Sequence, residues 1–125
     1  MWAMTLAVAG GGALGSVLRF VVTQQLFRAG NGFPYGTLLV NVVGTLLIGV
    51  FARMFASEAN AVTRTALTIG FCGGFTTFSA YSVELFALLQ QGRMLRAALY
   101  MISSTGLSLL ATVAGLFIGA RFTQR

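Results

Sequence analysis

The sequence predicts an all-α integral membrane protein: a single domain over residues 1–125, built from four transmembrane helices of which the third is broken. Three observations predict it. Hydrophobic residues make up 57% of the chain and charged residues 8%, with a mean hydropathy of +0.87, too few polar side chains to cover a soluble globule of this size. A membrane crossing takes about 20 apolar residues, and four such segments nearly exhaust the 125 available. The third segment carries GFCGGFTTFSAYSVE, Gly70 to Glu84, a run too rich in glycine and threonine to be one unbroken helix.

The first span is read over Trp2 to Phe27. It has no charged start and no small-residue cleavage site, so it is expected to stay in the membrane rather than be removed as a signal peptide. Gly11 and Gly15 are spaced for close helix contact, as are Gly70 with Gly74 and Gly115 with Gly119. Each pair could pack inside the subunit or across a dimer.

The second span, Pro34 to Phe55, repeats Thr37, Asn41 and Thr45 every four residues, on one face of an apolar helix. An amide in hydrocarbon must find partners in protein or water. Asn41 therefore either glues helices together or offers its amide NH2 group to an anion.

In the third span, Val62 to Leu89, Gly73 and Gly74 weaken the helix by about 1 kcal/mol each relative to alanine. Thr76 and Thr77 are suited to capping a restarted helix. A break from Gly73 to Thr77 is the expectation. Carbonyls freed at that depth must face protein, water or an ion. They serve either a packing notch or, where two breaks meet on a twofold axis, a small monovalent cation. Past the break, Phe78 and Tyr81 share a face, and aromatic ring edges carry partial positive charge acceptable to a small anion. Glu84 lies about 10 Å further along the axis, positioned to bind polar groups at a vestibule or to snorkel. Cys72 is the one cysteine, so no intrachain disulfide can form.

The fourth span, Met94 to Phe122, aligns Tyr100, Ser104, Ser108 and Thr112 at i, i+4 spacing, flanked by Ser103 and Thr105. A lone hydroxyl in a membrane helix usually bonds back to its own backbone. Four in register read as a wetted or ion-facing track.

All eight basic residues are arginines, mostly near span ends, where they snorkel toward lipid headgroups rather than bind nucleic acid. Arg53, Arg64, Arg121 and Arg125 fall on the side of the termini. Arg28, Arg93, Arg96 and, on this reading, Arg19 fall on the other. Orientation follows an excess of basic residues, and four against four gives none. Balanced charge and the glycine pairs favour an antiparallel homodimer.

With no histidine and two carboxylates, acid–base or metal-assisted catalysis is not expected, and no nucleotide-binding loop is present. The protein is expected not to be an enzyme.

Over essentially its whole length the chain resembles the bacterial Fluc (CrcB) fluoride channels. The resemblance rests on GGALGSVLRF at Gly11 to Phe20, GTLLVNVVGTLLIG at Gly36 to Gly49 and, above all, GFCGGFTTFSAYSVE. It implies a multi-pass protein of the bacterial inner membrane, a dual-topology antiparallel homodimer with two fluoride pathways. It also implies a structural Na+ at the twofold centre, held by backbone carbonyls that match Gly73 and Thr76. The family's pore asparagine matches Asn41, its pore phenylalanines match Phe78 and Tyr81, and its polar track matches Tyr100, Ser104, Ser108 and Thr112. Arg19 matches the first-span arginine at a vestibule. One departure is Tyr81, where the family usually has phenylalanine. The implied function is passive fluoride export. The alternatives are a small dual-topology proton-coupled multidrug exporter, which needs a carboxylate deep in the membrane, and an assembly subunit whose polar residues only bind partner helices.

Overall fold

The computed structural model describes residues 1–29, 32–57, 59 and 61–123, with no strand among them. Arg125 and the side chain of Arg28, both counted in the charge tally, lie outside the described residues. Helix α1 spans Trp2–Ala29 and α2 spans Tyr35–Met54. The third crossing is assembled from α3 (Ala61–Thr65), a π-helical segment (Ala66–Cys72), α4 (Gly73–Phe75) and α5 (Phe78–Gln90). Helix α6 spans Met94–Thr123. Three helices, in α1, α2 and α6, are long and apolar enough to cross a membrane unaided. The interrupted third segment is not among these three.

The α5–α6 connector closes as a glycine cap. Gly92 adopts φ +69°, where glycine has no Cβ to clash. The Arg93 N–H donates to the Leu88 carbonyl and the Gly92 N–H to the Leu89 carbonyl, both at 3.0 Å, the bond pair that ends many helices.

Close backbone contact holds the bundle in two layers. Helix α1 lies against the π segment and α4, and α2 lies along α6. A Cβ at Gly15 would overlap the Phe71 carbonyl, and one at Gly74 would overlap the Gly12 carbonyl. On the other side, a Cβ at Gly49 would strike the backbone of Thr112 and Leu116, and one at Gly115 that of Leu46 and Val50. Without a hydrophobic drive between helices in lipid, such backbone approach is what makes dispersion contact close enough to hold them. Gly11 and Gly15, Gly70 and Gly74, and Gly115 and Gly119 therefore all pack within the subunit. The three pairs do not speak for a dimer.

The break is present but narrower than the expected stretch from Gly73 to Thr77, of which it occupies the end. Gly73 and Gly74 are helical, and the interruption is Thr76 (φ −82°, ψ 157°) with Thr77 (φ −151°, ψ 120°). Gly74 is small because Gly12 and Ser16 of α1 press against it, not because the helix must end there.

Candidate functional site

Two extended residues in mid-membrane leave main-chain groups without helical partners, and one side chain takes most of that load. Asn41 on α2 accepts from the Thr77 N–H through Oδ1 at 2.8 Å and donates from Nδ2 to the Thr77 carbonyl at 3.1 Å. With one partner a donor and the other an acceptor, the amide has only one orientation that satisfies both. The Thr77 hydroxyl caps α5 by accepting from the Ala80 N–H at 3.1 Å. The capping role expected of these threonines thus belongs to Thr77. Thr76 instead turns its hydroxyl back to the Cys72 carbonyl at 2.9 Å.

These bonds redirect two donors. In a continuous α-helix the Thr77 N–H would serve the Gly73 carbonyl and the Ala80 N–H the Thr76 carbonyl. The first goes to Asn41 and the second to the Thr77 side chain. The Gly73 and Thr76 carbonyls are the two that lose their i+4 donors this way. Gly73 lies on an open face of the subunit, where even an added Cβ would meet no atom closer than 3.9 Å.

Beside the break runs a groove of about 340 Å³ lined by Asn41, Thr45, Thr76, Thr77, Phe78, Tyr81, Ser104, Thr105, Ser108 and Leu109. It gathers five of the seven residues expected on an ion path: Asn41, Phe78, Tyr81, Ser104 and Ser108. The Phe78 and Tyr81 rings lie 5.4 Å apart between centroids, tilted at 43°. Tyr81 is buried at 9% exposure, whereas Phe78 is 78% exposed and projects from the subunit. Ser108 Oγ is buried and has no hydrogen-bond partner. A buried hydroxyl without a partner costs about 1–3 kcal/mol, and this one has its donor unused within the subunit.

The remaining two expected residues lie elsewhere. Thr112 donates back to the Ser108 carbonyl at 3.0 Å. Tyr100 is fully buried, its ring 5.1 Å from that of Tyr81 and its hydroxyl 2.7 Å from Glu84 Oε2. The other carboxylate oxygen, Oε1, accepts from Thr37 Oγ1, also at 2.7 Å. Glu84 is therefore neither snorkelling nor free. A second cavity of about 400 Å³ opens on its far side, lined in part by Phe33, Tyr35, Thr37, Glu84 and Leu88. Thr37 and Asn41, one turn apart on α2, line the two cavities. Thr45, the third member of that face, bonds back to the Val42 carbonyl.

Arg19 sits partly buried on α1 with its Nε shielded and unpartnered. The Thr77 main chain as the partner of Asn41, and Thr37 and Tyr100 as the partners of Glu84, are not apparent from spacing along the chain. A polar residue mid-span on each of three segments is the signal that was available.

Comparison with known proteins completes the picture. The family described as CrcB-like protein, Camphor Resistance (CrcB), matches residues 6–116. A protein of Nitrobacter winogradskyi named fluoride-specific ion channel FluC is 48% identical over 120 residues, covering 94% of this chain and 95% of its own. Proteins of the same name from Rhizobium etli and Rhizobium meliloti are each 49% identical, over 90% and 89% of this chain and 93% and 91% of their own. On a match spanning nearly the whole length, from α1 well into α6, the chain belongs to the CrcB-like family.

Proposed function

We propose that the chain is a passive fluoride-selective channel of the bacterial inner membrane that lowers cytoplasmic fluoride. The observation that carries the reading is the groove itself: an amide, two serine hydroxyls and two aromatic rings converge beside a helix break, in a chain close to relatives named fluoride-specific ion channel. Fluoride is small and strongly hydrated, so a selective path must replace its water with distributed contacts, firm enough for entry and weak enough for exit. The second amide hydrogen of Asn41, the Ser104 and Ser108 hydroxyls and the ring edges of Phe78 and Tyr81 are such contacts. Tyr100 lies beneath this wall and Thr112 one turn beyond it. Arg19 raises the local anion concentration at a vestibule. Trapped fluoride leaves down its own gradient, helped by about 2.3 kcal/mol per 100 mV of inside-negative potential.

The working unit is an antiparallel homodimer set in lipid. Balanced arginines support it, as does the exposure of Phe78 and of the Gly73 face. The Gly73 and Thr76 carbonyls, which lose their helical donors, would hold Na+, and the ion would supply a fixed positive charge at the break. Oxygen ligands without a carboxylate suit a monovalent cation, and no cluster of three or more histidine, cysteine or acidic side chains that could hold a metal occurs among the described residues.

The test is fluoride efflux from liposomes containing purified protein, followed with a fluoride electrode. Efflux that needs only a potassium shunt is expected. Proton-coupled exchange of lipophilic cations would replace this reading with the multidrug exporter, and the absence of any flux would leave an assembly subunit.

A further inference from the structure

A residue that lines the groove is also the one that opens the main chain at the break. Asn41 Oδ1 lies 2.8 Å from the Thr77 nitrogen and Nδ2 lies 3.1 Å from the Thr77 oxygen. Two bonds in opposite directions between one side chain and the main chain of one residue imitate a strand partner, and they hold Thr77 in its extended conformation at φ −151°, ψ 120°. Without them, nothing else described takes the Thr77 N–H. Its nearest alternative acceptor is the Gly73 carbonyl, four residues back, because Gly73 to Phe75 already follow helical geometry. Closing that bond would extend α4 and occupy the Gly73 carbonyl with a main-chain donor.

We propose that Asn41 is a positioning residue for the cation cage: by occupying the Thr77 N–H, it keeps the Gly73 carbonyl available to Na+. The proposal rests on the Na+ reading given above. It assigns the two halves of the amide different duties. The Oδ1 acceptor holds the cage open, and the Nδ2 donor, with one hydrogen on Thr77 and one left over, faces the anion path. Groove and cage thus share a single side chain, and their occupants are linked through the conformation of Thr77 without touching each other. The Thr77 hydroxyl, capping α5 through Ala80 at 3.1 Å, fixes the other side of the same hinge and keeps the Ala80 N–H off the Thr76 carbonyl.

The experiment is a Na+ titration of thermal stability, with purified dimer in detergent and N-methylglucamine as the replacement cation. It reads the cage without reading flux. Wild type is expected to gain stability saturably with Na+. Asn41→Ala, which removes the acceptor, should require at least about 10-fold more Na+ for half of that gain, the effect of losing one good ligand. Asn41→Asp, which keeps an acceptor for the Thr77 N–H, should stay within about 3-fold of wild type while its fluoride efflux is lost. A pore wall with no bearing on the cage would leave all three titrations superimposed, and that result overturns the proposal. Should Asn41→Ala not assemble, Asn41→Leu, which keeps the volume but offers no acceptor, takes its place with the same expected loss of about 10-fold; a Leu titration superimposed on wild type overturns the proposal, as does a loss of about 10-fold in Na+ affinity in Asn41→Asp. A wild type indifferent to Na+ at every concentration removes the Na+ reading itself, a different outcome from either.

Discussion

The hydroxyl of Tyr100 donates to Oε2 of Glu84 at 2.7 Å, across two helices and with the tyrosine wholly buried. The acid that looks out of place in an apolar span is therefore structural glue between α5 and α6, with Thr37 adding α2 at the other oxygen. Tyr100→Phe leaves the carboxylate one donor short. It should lower stability by about 1–3 kcal/mol, measured by thermal unfolding in detergent. The loss should shrink in a Glu84→Gln background if the pair is coupled; equal losses in both backgrounds would deny the coupling.

Gly74 and Gly106 should respond oppositely to alanine. A methyl at Gly74 meets the backbone of Gly12 and the Ser16 hydroxyl, whereas one at Gly106 meets nothing within 4 Å. Gly74→Ala is expected to cost about 1–3 kcal/mol or to prevent assembly, and Gly106→Ala to gain up to about 1 kcal/mol from helix propensity. Size-exclusion profiles and melting temperatures of the two variants check this. Similar behaviour would contradict the packing of α1 against α4.

Ser108→Ala separates stability from transport. Because Oγ has no partner in the protein, its removal should leave stability unchanged within about 0.5 kcal/mol or raise it. Fluoride efflux should fall about 10-fold or more, as for one lost hydrogen bond to an ion. Thr112→Val, whose hydroxyl already serves the Ser108 carbonyl, should change efflux far less. Undiminished efflux in Ser108→Ala would take that hydroxyl off the path.

Tyr81→Phe keeps both ring contacts, at 5.4 Å to Phe78 and 5.1 Å to Tyr100, and removes only the phenol oxygen. The expected variant matches wild type in melting temperature and conducts fluoride at least as fast in the liposome assay. A marked fall in efflux would identify the hydroxyl as a working donor.

Charge balance predicts sensitivity to added arginine. Gln91→Arg tips the count toward the α5–α6 connector and Ser57→Arg toward the opposite side. Each variant alone should lose fluoride resistance in cells, and their co-expression should restore it. Full resistance from either variant alone argues against the antiparallel pair.

The sequence carried the spans to within a residue or two. Pro34 caps α2 and Phe55 ends it, and α6 begins at Met94 as read. Apolar runs with glycine and arginine at their edges have few other solutions in lipid. Most residues of the groove were legible for a related reason, since Asn41, Ser104 and Ser108 are costly enough in a span to announce a partner. The π-helical turn over Ala66–Cys72 was not legible, because ALTIGFC offers no side chain that distinguishes an i+5 from an i+4 bond. Nor was the knot of Thr37, Glu84 and Tyr100, whose members are 47 and 16 residues apart from the acid. The break occupies only the end of the expected stretch from Gly73 to Thr77, because Gly74 serves as a surface for another backbone rather than as a helix breaker. Thr76 and Thr77, not the glycines, carry the extended geometry.

The extended pair at Thr76 and Thr77 bears on how the protein is made. A helix that satisfies its own main chain can enter the bilayer alone and find neighbours later. The third crossing cannot, because the main-chain N–H and carbonyl of Thr77 are satisfied by a side chain borrowed from α2. Its native shape exists only once α2 is already beside it. During biosynthesis α2 emerges first, with Asn41 36 residues ahead of Thr77, so the third segment can reach its native shape only by docking on a neighbour already made, and its integration and folding become one event.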